Sequence, residues 1–131
     1  MSRYLFEYNH SYHPPAPFIE IVVDGYQPTL GQVRRHALVD SGSDGTMIPL
    51  PILQQTGARY QETAQMRGVA GTAQPVELFL VAIHIGDQII NGIHAIALPS
   101  PNEIIIGRDV LNQLTLTLDG LATTLTVETN P

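Results

Sequence analysis

The sequence predicts an all-β domain, a small closed or barrel-like sheet with little helix. Three observations carry this. Short apolar runs rich in Val, Ile and Leu recur along the chain and break at turns containing Gly or Asp. Only two stretches, both short, have a helical look. The stretch "LTLTLDGLATTLTVE" alternates apolar and polar residues around Asp119-Gly120, a two-residue hairpin signal.

The elements follow in order. Residues 1–17, ending in "HPPAP", are polar and aromatic, and their prolines favour an extended N-terminal arm. Residues 18–131 form the domain proper. "FIEIVVDG" is a strand closed by a turn at Asp24-Gly25, and "QVRRHALVD" is a second strand. "PLPILQQTGA" is a short helical turn ending near Gly57. "RYQETAQMRGVAGTAQP" is a β-hairpin whose tip holds Gly68 and Gly71. "VELFLVAIHIGD" and "QIINGIHAIAL" are long strands joined at Gly86-Asp87. "NEIIIGRDVLNQL" passes from a buried strand into a short C-terminal helix. In the last hairpin a turn at Asp119-Gly120 sets Leu118 opposite Leu121 and Leu114 opposite Leu125. One internal echo is visible: "ALVDSG" and "EIIIGRD" are both apolar strands that break at a Gly-containing turn with an Asp nearby.

Length and composition narrow the function classes. The chain has 131 residues, 44% hydrophobic and 14% charged, which fits one compact domain with a sizeable core. Net charge is −6 and all six basic residues are Arg. No basic patch can be assembled, so neither nucleic acid nor an anionic membrane surface is an expected partner. There is no Cys, which removes disulfides and thiolate metal sites. The histidines His10, His13, His36, His84 and His94 lack metal-ligand spacing, and His36, His84 and His94 are expected to be packing residues. No metal and no cofactor are expected. The N-terminus lacks a signal h-region and no apolar run approaches the ~20 residues of a membrane span. The expected location is therefore cytoplasmic. The initial Met suggests a free-standing gene product, with an N-terminal arm open to self-trimming.

The segment "HALVDSGSDGTMIPL", residues 36 to 50, places a carboxylate where a buried strand runs out. Asp-Ser-Gly is by itself an ordinary turn. A calcium loop fails, because Gly42 and Pro51 fall where carboxylate ligands are needed and no helices flank it. A phosphorylated flexible loop sits poorly between two apolar segments. A catalytic carboxylate fits the context: "ALV" delivers Asp40, Ser41 can lock the loop, and Gly42 lets its N–H approach the carboxylate.

"ALVDSGSDGTMI" resembles the active-site segment of retropepsin-like aspartic proteases, an apolar strand followed by Asp-Thr/Ser-Gly. "IIIGRDVL", residues 104 to 111, resembles the family's second signature, apolar residues followed by Gly-Arg-Asp/Asn on a short helix. The resemblance covers roughly residues 18 to 115. It implies an aspartic endopeptidase with a small closed barrel fold, no cofactor, and an extended peptide or protein substrate. Two carboxylates are needed and the chain has one Asp-Ser-Gly, so it also implies a homodimer with Asp40 from each subunit meeting on a two-fold axis.

By the same resemblance, Asp40 activates the attacking water, the Ser41 hydroxyl braces the two loops across the axis, and Gly42 also contacts substrate. Asp44 binds substrate main chain and forms a partly buried ion pair with Arg108. Residues 66 to 73 become a flap, with Arg67, Gly68, Val69, Ala70 and Gly71 over the peptide. Ser43 replaces the usual Ala of the retroviral enzymes. Its hydroxyl is expected beside the Asp40 carboxylate, favouring an acidic pH optimum. The dimer sheet is expected from "TTLTVE" or from the N-terminal arm. The alternative is a retropepsin-like dimeric domain, weak or inactive in catalysis, that serves as an interaction or assembly module.

Overall fold

The computed structural model describes residues 1–67 and 71–131. Ten strands and two short helices follow in this order: β1 Ser2–Glu7, β2 Phe18–Asp24, β3 Val33–Val39, β4 Met47–Pro49, α1 Leu50–Gln55, β5 Arg59–Arg67, β6 Ala73–Ile85, β7 Gln88–Leu98, β8 Ile104–Ile106, α2 Arg108–Leu111, β9 Thr115–Asp119 and β10 Thr124–Thr129. Every apolar run expected to be a strand is one. Both short helices fall where the sequence places them. Pro51 fits the first turn of α1, where an N–H has no helical partner in any case.

Six strands close a ring. The order is β2-β3-β8-β4-β7-β6, and β6 pairs back onto β2. Closure leaves the ring no free edge. It is possible because β6 is 13 residues long and changes partner: its first part pairs β5 and its last part, near Ala82–His84, pairs β2. An irregularity in the β6–β7 register between Val81 and Ile83 marks this change, as a bulge bends a strand. The barrel interior is apolar and branched, with Ile19, Ile21, Val23, Ile48, Val81, Ile83, Ile104 and Ile106 all essentially inaccessible. Each side chain of this size contributes about 1.5–3 kcal/mol by leaving water.

The two segments that echo each other in sequence lie side by side. β3 and β8 pair in parallel, Ala37 with Ile104, Leu38 with Ile105 and Val39 with Ile106. The two motifs that follow them are thereby delivered to one end of the barrel.

The N-terminal segment is extended, as expected, and it is also paired. β1 runs antiparallel to β10, from Ser2 opposite Thr129 to Glu7 opposite Thr124. β9 covers the other edge of β10, giving a second sheet β1-β10-β9. Leu125 and Val127 of β10 are fully buried in the common core, with Phe6 of β1 packed against it. The polar end of the sheet is tied to the β6–β7 turn. Asp87 accepts hydrogen bonds from the hydroxyls of Ser2 and Thr129, and its N–H donates to the Tyr4 hydroxyl at 3.0 Å.

Three expectations are corrected here. The last hairpin does not turn on Asp119-Gly120 alone. Asp119 pairs Thr124 and Leu118 pairs Leu125, so four residues form the loop and Leu121 projects into solvent at 103% exposure. Asp119 Oδ1 accepts the Ala122 N–H at 3.0 Å and Thr123 takes a positive φ of 53°, which together outcompete the two-residue turn. Second, "TTLTVE" is the central strand of its sheet. Both its hydrogen-bonding edges are occupied, by β1 and β9, so it has none left for a partner chain. His36 and His94 are also exposed instead of packed, whereas His84 is partly buried against Asp24 at 3.1 Å.

Candidate active site

Asp40 continues the β3 ladder by one residue. Its N–H donates to Ile106 O at 3.0 Å, so the β3–β8 pairing carries through to the carboxylate. The chain then turns sharply, with Ser43 N–H donating to Asp40 O at 3.1 Å. Gly42 sits inside this turn and its N–H donates to Asp40 Oδ1 at 2.9 Å. This is the contact that a glycine two residues after the carboxylate was expected to make. A Cβ on Gly42 would lie 3.1 Å from the same oxygen, so the approach is already close. Asp40 is half-buried, and Ser41 and Gly42 are exposed at the crest.

The second motif holds the loop from below. Arg108 N–H donates to Ser43 O at 2.9 Å, and Arg108 Nη1 donates to Ser41 O at 2.7 Å. Arg108 Nη2 pairs with Asp44. The expected Asp44–Arg108 pair is therefore present, but it is not buried: the Asp44 side chain is 93% exposed and that of Arg108 43%. An ion pair so exposed is worth little, and the stronger anchor is the Ser41 carbonyl. Gly107 is packed against the loop backbone. A Cβ there would fall 2.5 Å from Gly45 O and 2.9 Å from Ser43 O, so only glycine lets α2 begin this close.

Two side chains in this clamp were not singled out from sequence. Thr46 is fully buried, and its Oγ1 donates to Asp109 Oδ1 at 2.7 Å while accepting the Gly107 N–H at 3.2 Å. Thr46 N–H donates to Asp109 Oδ2 at 3.1 Å, and Val110 N–H donates to Asp109 Oδ1 at 2.9 Å. Asp109 thus accepts three donors and closes the loop at its far end. The only signal in the sequence was its place after Gly-Arg. Its partner lies 63 residues away.

Ser43 departs from expectation. Its hydroxyl donates to Gly45 O at 2.8 Å, turned along the loop instead of toward the Asp40 carboxylate. It braces the loop, and the expected acidic optimum loses the contact on which it rested. Of the residues expected to form a flap, Arg67 closes the β5–β6 hairpin, its Nη1 donating to Gly71 O at 2.7 Å. Gly71 is exposed with φ 79°. Gly68, Val69 and Ala70 lie outside the described residues.

An apolar row runs across the barrel at the foot of Asp40. Strand registers align Phe18, Leu38, Ile105, Met47, Ile96 and Leu78, one residue from each strand of the ring. Their sequence neighbours, such as Ile19, Ala37, Ile104 and Ile48, point into the core. All but Phe18 are partly exposed. Asp40 stands two residues after Leu38 and shares its face. At one end the Tyr12 ring packs on Phe18, centroids 5.3 Å apart, and the Tyr12 hydroxyl donates to Glu103. That bond first, then burial and the negative charge of Glu103, raises the Tyr12 phenol above its ordinary range.

A closed six-stranded barrel that brings Asp-Ser-Gly and Gly-Arg-Asp loops together defines an aspartic-protease-type domain of the retropepsin-like class. The sequence matches the Aspartyl protease family model over residues 23–110, and the chain belongs to that family. Its fold is similar to the crystal structure of a retropepsin-like aspartic protease from Rickettsia conorii, with a TM-score of 0.70 over 98% of this chain and 91% of that one, at 15% identity. No curated protein matches the sequence.

Proposed function

We propose that this protein is an aspartic endopeptidase acting as a homodimer, with Asp40 from each subunit forming the catalytic pair. The observation that carries this reading is the Asp40 loop: a carboxylate at a strand end, held by the Gly42 N–H and clamped by the Gly-Arg-Asp motif. Such a loop occurs once in the chain, so a carboxylate pair needs a second copy.

Two carboxyl groups facing each other share one proton, because like charges that close do not both ionise. The ionised Asp40 takes a proton from a water between them, and the water oxygen attacks the scissile carbonyl carbon. The protonated Asp40 hydrogen-bonds and protonates the carbonyl oxygen. Return of a proton to the amide nitrogen lets the C–N bond break, giving a carboxylic acid and an amine. Ser41, exposed at the loop crest, is the side chain expected to meet its copy across the axis. If the dimer is joined by strands, the available edges among the described residues are the outer ones of β1, β9 and β5. Gly42 and Asp44 are the loop positions expected to bind substrate main chain.

The test is cleavage of a mixed peptide pool by the wild type, by Asp40→Asn, and by mixtures of the two. Cleavage lost in Asp40→Asn, and reduced to about a quarter in an equal mixture that exchanges subunits freely, is the expected result. An activity that falls only in proportion to the wild-type fraction would refute the two-copy site. A sedimenting dimer without any cleavage would move the reading to an assembly module.

A further inference from the structure

An acidic side chain borders the apolar row at the foot of Asp40, and the geometry gives that residue a task. Glu103 immediately precedes β8, two residues before Ile105, and strand alternation carried back one step sets it at the rim of the row. It is exposed, and Tyr12 fixes it in place from above while packing on Phe18. Among the described residues no ion pair engages it. Other side chains that could pair with it have acids of their own: Arg34 pairs Glu20 at 2.5 Å, the His36 ring lies 3.9 Å from Glu20, and Arg108 pairs Asp44. Tyr12 supplies one neutral donor, which orients the carboxylate and leaves its charge uncompensated.

We propose that Glu103 is a specificity-determining residue of the substrate groove, selecting a Lys or Arg side chain near the cleaved bond. This deepens the protease reading and rests on it for the word substrate. Asp40 bonds to Ile106, and Glu103 is three residues back along that chain, about 10 Å at ~3.3 Å per residue. An extended peptide crossing Asp40 covers that distance in about three residues. A basic side chain two or three positions from the scissile bond therefore reaches the carboxylate. Its aliphatic stem would lie on the exposed parts of Ile105 and Leu38, so the row favours a long cation over a short polar residue.

The experiment uses two random-peptide pools, one containing Lys and Arg and one with Gln in their place. Cleavage sites are mapped for the wild type, Glu103→Gln and Glu103→Lys. Binding of each fluorescein-labelled pool to Asp40→Asn, with and without Glu103→Gln, is read by anisotropy. The expected wild-type preference is about two- to fivefold in kcat/KM for a basic residue at one fixed position, the range of a solvent-exposed ion pair. It fades at high salt, disappears in Glu103→Gln and turns toward acidic residues in Glu103→Lys. Cleavage without this preference, or with a preference that survives Glu103→Gln, overturns the proposal and leaves the protease reading standing. No cleavage, with Glu103-dependent binding of the basic pool, keeps the groove and overturns the protease reading. Silence in both assays overturns both.

Discussion

Thr46→Val tests the clamp that holds the Asp40 loop. The two side chains have nearly the same shape, so no cavity forms and the hydroxyl is isolated. Thr46 is fully buried, so water cannot replace what is lost. The hydrogen bond to the Asp109 carboxylate goes, a charge-assisted bond worth about 1.5–3 kcal/mol. The Gly107 N–H loses its acceptor, and a buried orphan donor costs about 1–3 kcal/mol. The added methyl returns part of this, about 1 kcal/mol. The net expectation is a loss of roughly 1.5–5 kcal/mol. For 131 residues the unfolding entropy is about 0.28 kcal/mol/K, so Tm should fall by roughly 5–18 °C at fixed protein concentration. Thr46→Ser keeps the hydroxyl and gives up one methyl, about 1 kcal/mol. Urea and thermal melts of both variants, followed by far-UV circular dichroism, decide the matter. A Thr46→Val protein within about 0.5 kcal/mol of wild type, or a Thr46→Ser protein equally damaged, would refute the clamp.

Gly107→Ala drives a Cβ to 2.5 Å from Gly45 O, against backbone that has little room to yield, so it should cost about 1–3 kcal/mol and reduce cleavage as the loop shifts; melts and turnover assays check this. Arg108→Ala should destabilise by about 1–2 kcal/mol through the lost Ser41 carbonyl bond, whereas Asp44→Ala stays below about 1 kcal/mol because its partner contact is exposed; equal costs in denaturant melts would contradict this ranking. Asp87 ties both termini to the β6–β7 turn, and the Ser2 hydroxyl first, then that of Thr129, holds its carboxyl below the ordinary 3.8. A lowered folded value means the tie contributes fully above the unfolded value and is lost as pH falls through the folded one. The Tm difference between wild type and Asp87→Asn should thus be steady from about pH 5 to 7 and vanish in strong acid.

Much of this protein is legible because its information is local. Alternation and turn chemistry mark the barrel strands. "ALVDSG" and "IIIGRD" each carry, within a few residues, the strand, the break and the polar group that a catalytic loop needs. Even the Gly42 N–H on Asp40 follows from a spacing of two. What tertiary structure alone decided depends on partners far apart in the chain. Asp109 is one acid among twelve until Thr46 is brought to it by the β4–β8 and β3–β8 pairings. The sequence sets Ser43 close enough along the chain to suggest a bond to the Asp40 carboxylate, and the path of the loop gives its hydroxyl to Gly45 O instead. The pattern of "LTLTLDGLATTLTVE" suits either a two-residue or a four-residue turn, and an Asp119 side-chain bond selects the longer one. The N-terminal segment shows no strong strand pattern. It becomes a strand because β10 offers it a free edge and the buried face of Phe6 and Leu125 rewards the pairing.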